Sequence, residues 1–466
     1  MRRGDMVRWL GFAGSLLLTV VTAAGPAGLP RWLAAVPAVV LAAAVAGMGI
    51  VVLAWALLGR LVVSGAESAP GPRSLKLTLL LWAAPLLFAR PLFSGDVHSY
   101  RAQGEIAARG LDPYTVGPNE GLGATSALTQ DVSGYWRDAP SPYGPLFTLL
   151  QRVIAQVTGE NQVAGVLAYR LVAVAGVALI VWAVPRLAAR AGVPAGVALW
   201  LGALNPLLLW HFVAGVHNDA LMAGLMVAGT ALALAAIGET ISWGRLSAGI
   251  VVISLGADVK LPAVVALAVV GTVLARRFGG RLWHLVVAGA AMIASVALVS
   301  AAVSLVSGVG FGWLGTLDTS GQLNSWMAPT NWAGFVAGQT VIQVGRMAGY
   351  VLIVCGVGVV VYRQLRGRIA ELPALGALLA VVVVFGPVVQ PWYLLWAVIP
   401  LAVCLPAGRV RTVVATLSAV FAVVLPPLGG NFSGKVGELV LGYAGAIVVL
   451  ALVAFLTRES RPKVTS

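Results

Sequence analysis

The chain is poor in cysteine, histidine and charge. Its 466 residues include 2 cysteines, 4 histidines and 16 acids. Cys355 and Cys404 both lie inside apolar runs, so neither a disulfide framework nor a cysteine-based metal site is indicated. There is no G-x-x-x-x-G-K-[ST] loop and no H-E-x-x-H pair, which leaves ATP hydrolysis and zinc proteolysis without motif support. The G-x-S-x-G elbow is missing too. Charged residues make up only 10% of the chain, against about 25% in a soluble domain.

Apolar residues fill the space, at 59%. Runs near 20 residues recur along the whole length, which is the signal of transmembrane helices. They do not alternate with period two, so an outer-membrane barrel is disfavoured. The fold class expected is an all-α polytopic membrane protein. A net charge of +14 could suggest nucleic acid, but the basic residues sit in short clusters between apolar runs. That is topology information, because short cytoplasmic loops retain Lys and Arg; no nucleic acid is expected.

Spans are expected at 8–28, 36–58, 77–93, 163–184, 193–212, 217–237, 246–258, 261–275, 282–306, 338–361, 373–389, 391–406, 412–427 and 437–457. The pairs 246–258 with 261–275, and 373–389 with 391–406, are short enough to be broken or re-entrant, giving 11 to 14 crossings. The first run is too long for a signal peptide's apolar core and reads as an uncleaved helix. With both termini cytoplasmic, 20 of the 30 basic residues fall inside, as the positive-inside rule requires. The chain reads as one integral domain, 1–466, in the plasma membrane. Its two long polar segments, 94–162 and 307–337, then lie outside, and such length is usually functional. Short interfacial helices are expected in "DVHSYRAQGEIAARG" (96–110) and "PLFTLLQRVIAQVTG" (145–159).

Four polar clusters fall at this one face. They are Asp96 with His98, Tyr100 and Arg101; "GVHNDALMAG" (215–224) with His217, Asn218 and Asp219; "GADVKLPA" (256–263) with Asp258 and Lys260; and "VVQPWYLLW" (388–396) with Gln390, Trp392 and Tyr393. Each has an ordinary reading. Asp96 suits a solvated cap and Asn218 or Asp219 a helix N-cap. Lys260 suits a snorkelling side chain or a partner of Asp258, and the aromatics suit an interfacial anchor. Their convergence favours a site, since ionisable groups at membrane depth are functional candidates by default. A carboxylate beside a cation suits attack by a sugar hydroxyl on an anomeric carbon with a phosphate leaving group. The carboxylate takes the proton and the cation steadies the departing charge. Trp392, Tyr393, Asn324 and Gln390 would hold the sugar.

The stretches "GDVHSYRAQGEIAARGLDPYTVGP", "YWRDAPSPYGPLF", "GVHNDALM", "VKLPA" and "QPWYLLW" resemble the GT-C class of polyprenol-phosphate-sugar glycosyltransferases. More closely, they resemble the actinobacterial mannosyltransferases that build the α-1,6-mannan backbone of lipomannan and lipoarabinomannan. The resemblance implies a polyprenyl-phosphate-mannose donor, a lipid-linked mannan acceptor and inverting transfer. It implies Asp96 as the base, with Lys260 and then Arg101 for the donor phosphate. His98, Tyr100, Tyr143, His217, Asn218 and Asp219 join the substrate site, though His98 departs from the residue expected there. A monophosphate donor implies no essential metal and no cofactor. "DVH" and "HND" together could instead mimic a His/carboxylate metal site. The rival class is a transporter or lipid-linked-sugar flippase, in which the Pro-interrupted pairs would line the path. A non-catalytic scaffold would leave the clustering unexplained.

Overall fold

The computed structural model describes residues 3–28, 36–66, 69–316, 324–427 and 435–459. The centre of the 307–337 loop (317–323) lies outside the described residues, as do Arg2, Glu67, Arg461 and Lys463. The described chain is helical throughout, with one isolated bridge, Ile237 to Ile241, and no strand. It is an all-α polytopic membrane protein.

Seven described helices are long and apolar enough to cross a bilayer: Arg3–Ala23, Pro37–Val63, Gln162–Arg190, Asp219–Ala236, Leu282–Ser307, Gln339–Leu365 and Val436–Val453. That is fewer than the 11 to 14 expected, because several apolar runs fold as shorter pieces. Trp243–Ala257 and Val264–Arg277 are separated by a 3-10 turn, as are Glu371–Phe385 and Leu394–Ala402. Pro262 and Pro391 open these turns, each lacking the N–H a continuous helix would need. The expected single span 193–212 is also broken. Ala195–Ala203 and Leu208–Ala214 meet at 60° around Asn205 and Pro206, and π-helical turns lie on both sides. The residue before a proline resists the α conformation. Here the Asn205 amide takes over the freed backbone, donating to the Leu201 carbonyl and accepting from the Leu207 N–H, both at 3.0 Å.

Asp219–Ala236 is the most enclosed of the long helices, packed against Gln162–Arg190 and Trp243–Ala257. Leu282–Ser307, Gln339–Leu365 and Val436–Val453 bury little of their apolar surface, as helices facing lipid do. Trp55 and Trp200 lock the broken span to Pro37–Val63. Their rings stack at 4.9 Å, and each indole N–H donates to the other's carbonyl at 2.9 Å.

At one end of the bundle the 94–162 segment folds back over the helix ends. Asp96–Ala108 forms a helix as its pattern suggests, but nearly every residue is buried, from Val97 to Ala107. It packs mainly on Pro145–Thr158. The opposite end carries an open cavity of about 510 Å³ lined by Arg276, Arg366 and Arg368.

Candidate active site

Asp96 is the first residue of the helix that opens the 94–162 segment. The preceding turn aims its carboxylate: the Ser94 hydroxyl donates to Oδ1 at 2.6 Å and accepts from the Asp96 N–H at 3.1 Å. Nδ1 of His217 lies 3.2 Å from Oδ2. His217 is fully buried and stacks on Trp392 at 3.9 Å, with His211 behind both rings. Burial raises the Asp96 carboxyl, but the His217 contact, the Ser94 hydroxyl and the charge of Lys260 outweigh it. The group is held below the ordinary carboxylate value and stays ionised at neutral pH.

Lys260 closes the other side. Its Nζ donates to Oδ1 and Oδ2 of Asp219 at 3.0 and 2.9 Å and sits 4.8 Å above the Tyr393 ring and 5.4 Å above that of Trp396. The Trp396 indole N–H donates to Asp219 Oδ1 at 2.7 Å. The ammonium also reaches the Tyr393 hydroxyl. Lys260 therefore pairs with Asp219, not with its sequence neighbour Asp258. The Asp258 carboxylate accepts a short bond from the Ser300 hydroxyl, and its carbonyl accepts the N–H groups of Leu146 and Phe147 at 3.1 and 3.3 Å. That contact docks the N-terminus of Pro145–Thr158 onto the Asp258–Lys260 turn. Gly144 is required there, because a Cβ would run into the Asp258 backbone. The "YGP" of 143–145 thus delivers Tyr143 to the site.

Tyr143 packs edge-on against Tyr100 at 5.2 Å and lies within electrostatic reach of Asp96, Tyr393 and Asp219. Burial drives both the Tyr100 and Tyr143 phenols well above their ordinary value, so they remain neutral hydroxyls. The Asn218 N–H donates to the Tyr100 hydroxyl at 3.4 Å. Asn218 immediately precedes Asp219–Ala236, but its side chain makes no capping bond. Five buried nitrogens here, His211 Nδ1, His217 Nδ1 and Nε2, Asn218 Nδ2 and Trp392 Nε1, have no hydrogen-bond partner of good geometry among the described residues, so His217 Nδ1 meets Asp96 as a close polar contact, not an aligned hydrogen bond. Such atoms are rare, and here they cluster.

The tertiary structure therefore brings together Asp96, Tyr100, Tyr143, His217, Asn218, Asp219, Lys260, Trp392 and Tyr393. Gln390 stands at the rim, half-buried, its carbonyl accepting from the Tyr393 N–H at 3.0 Å.

Three expected members are elsewhere. The Arg101 guanidinium points to the far side of its helix, 3.2 Å from Asp131 and 2.9 Å from the Glu160 carbonyl. A donor-phosphate role for Arg101 is corrected on that ground. His98 shares that side, 3.9 Å from Asp131, because residues 98 and 101 are one turn apart. Asn324 is exposed and bonded at 3.0 Å to both Gln339 and Arg346. Replacing Arg101 with Gln is expected to lower the melting temperature by about 2–4 °C with the KM for donor unchanged; thermal unfolding beside initial rates checks it.

Among the described residues no three His, Cys, Asp or Glu side chains are placed to hold a metal ion. Residues missed from sequence include Ser94, Asp131, His211, Trp396 and Arg170. Arg170 and His211 carried a signal, an ionisable group inside the apolar runs 163–184 and 193–212; Ser94 carried none.

Comparison with known proteins identifies the family. A family model described as alpha-(1->6)-mannopyranosyltransferase, N-terminal domain, matches residues 8–276, more than half the chain. The chain belongs to the alpha-(1->6)-mannopyranosyltransferase family. A second model, the MptB C-terminal domain, matches residues 320–455. Similar members of the family include a probable alpha-(1->6)-mannopyranosyltransferase of Mycolicibacterium smegmatis, 40% identical over 89% of this chain and 79% of its own length. An alpha-(1->6)-mannopyranosyltransferase of Mycobacterium tuberculosis is 40% identical over 88% and 78%. Alpha-(1->6)-mannopyranosyltransferase B of Corynebacterium glutamicum is 32% identical over 89% and 74%. No solved structure matches the chain.

Proposed function

We propose that the chain is a mannosyltransferase that moves mannose from polyprenyl-phosphate mannose to a lipid-linked α-1,6-mannan acceptor. The site would face the outer side of the plasma membrane, and the anomeric centre would invert. Asp96 takes the proton of the acceptor hydroxyl as its oxygen attacks the anomeric carbon, and the bond to the lipid phosphate oxygen breaks. The Lys260 ammonium steadies the phosphate as charge collects there. Tyr100, Tyr143, Trp392 and Tyr393 wall the sugar, and the unpartnered nitrogens of His217, Asn218 and Trp392 await its hydroxyls. The observation that carries this reading is an ionised Asp96 within electrostatic reach of Lys260, whose ammonium lies over the Tyr393 ring.

The experiment uses membranes containing the full chain, radiolabelled polyprenyl-phosphate mannose and a short α-1,6-mannoside. A mannosylated product is expected, and its absence under conditions where a relative transfers would overturn the reading. The rate should also report Asp96. Its depressed value keeps the base ionised above that value, so transfer persists to about pH 4 and falls only below the ordinary carboxylate range. A rate–pH profile on intact protein checks this; a fall centred near pH 6 to 7 would point to another base.

The bent span at 195–214 and the two proline-interrupted pairs favour a transporter, since broken helices line transport sites. Accumulation of a lipid-linked sugar in sealed vesicles, without covalent product, would identify that function.

A further inference from the structure

We propose that Arg170 is the positioning residue of this site, its buried guanidinium tying together the two backbone segments that carry Asp96 and His217. The inference rests on the reading of Asp96 as the base.

Arg170 lies in Gln162–Arg190, is 4% exposed, and has no carboxylate within ion-pair distance among the described residues. Its partners are backbone carbonyls: Leu87 at 2.5 Å, Ala89 at 2.8 Å and Ala214 at 3.2 Å. The first two follow the end of Pro72–Leu86 and the third ends Leu208–Ala214. Helix C-termini leave carbonyls unpaired and carry partial negative charge. One cation therefore closes two helix ends. The planar fork spreads its donors over two nitrogens, Nη1 toward Leu87 and Nη2 toward Ala89 and Ala214, whereas an ammonium presents all its donors from a single point on a shorter reach.

The two capped ends continue directly into the site. Asp96 lies seven residues beyond Ala89 and His217 three beyond Ala214. Each link passes through a non-glycine residue in the left-handed region, Phe93 at φ 67° and Val216 at φ 59°; among the described residues there are no others. Such a conformation costs about 1–3 kcal/mol and persists only where the surroundings impose it. The two links also touch. Gly215 lies against the Leu92 carbonyl with no room for a Cβ, and the Phe93 ring packs on His211 at 4.8 Å. Arg170 anchors both strained links from behind, and the Asp96–His217 contact is what they deliver.

The test uses the full chain in membranes. Arg170→Lys is expected to lower kcat about 10- to 100-fold, as small misplacements do, with the donor KM within about twofold. The acid limb of the rate profile should move up toward the ordinary carboxylate value as the His217 contact loosens. The charged and titratable groups facing Asp96 are His217, Lys260, His211, Tyr100, Tyr143 and Tyr393; Arg170 touches none of them, so a shift has to pass through the backbone. In a His217→Gln background the same change should add less than roughly threefold, because coupled sites are not additive. A lowered melting temperature with an unmoved acid limb, or full additivity with His217→Gln, would overturn the inference. Should Arg170→Lys fail to accumulate, Arg170→Gln decides. That variant removes the guanidinium fork but keeps a planar amide donor without a buried charge, so an upward-moved acid limb supports the proposal and an unmoved one overturns it. Normal transfer by Asp96→Asn would instead remove the base assignment itself, a result separable from either outcome for Arg170.

Discussion

Asp96→Asn is expected to abolish transfer, a loss of about 10²- to 10⁴-fold for removal of a general base, with the protein still accumulating in the membrane. The substitution keeps size and shape, and the Ser94 hydroxyl can still donate to the amide oxygen. What is lost is the proton acceptor and its charge. Asp96 caps no packed hydrophobic cluster, and its side chain is 28% exposed, so little fold stability depends on it. Initial rates with radiolabelled donor, at matched protein levels, decide the matter. Undiminished transfer would remove Asp96 from the chemistry and leave His217 and Asp219 as the next carriers to examine.

Lys260→Met has the second largest expected effect, because it strikes both stability and chemistry. Asp219 is 1% exposed and receives both of its oxygens' ammonium bonds from Lys260. Removing one partner of a buried pair leaves an uncompensated charge, at a cost of about 3–5 kcal/mol. Transfer is expected to vanish and the melting temperature to drop. The double variant Lys260→Met, Asp219→Leu separates the two causes. Replacing both charges with apolar groups is often neutral for stability, so the melting temperature should recover while transfer stays lost. If activity recovered along with stability, Lys260 would be an internal tie, and the departing phosphate would be steadied by some other group.

The helices were legible from composition because burying backbone in lipid demands them, and the apolar runs near 20 residues recorded that demand. Their breaks were legible only in part. Pro262 and Pro391 announced two interruptions, whereas the bend at Asn205–Pro206 was concealed in a run that read as continuous. Four motif clusters could be assigned to one face, since each followed an apolar run at the same end. Which residues within a cluster meet could not be read. Lys260 and, second to it, Arg101 both suited a phosphate by residue type and position, but one turn of helix carries Arg101 away to Asp131.

The sequence by itself determined a helical membrane protein with its acids, aromatics and one lysine gathered at one face, because hydropathy and motif position are local properties. Tertiary structure alone decided the pairings: Asp96 with His217, Lys260 with Asp219, and Arg170 with three carbonyls. These partners stand 121, 41 and 44 to 83 positions apart. A contact over such a separation follows from how helices cross and where their ends are capped, which no local pattern encodes.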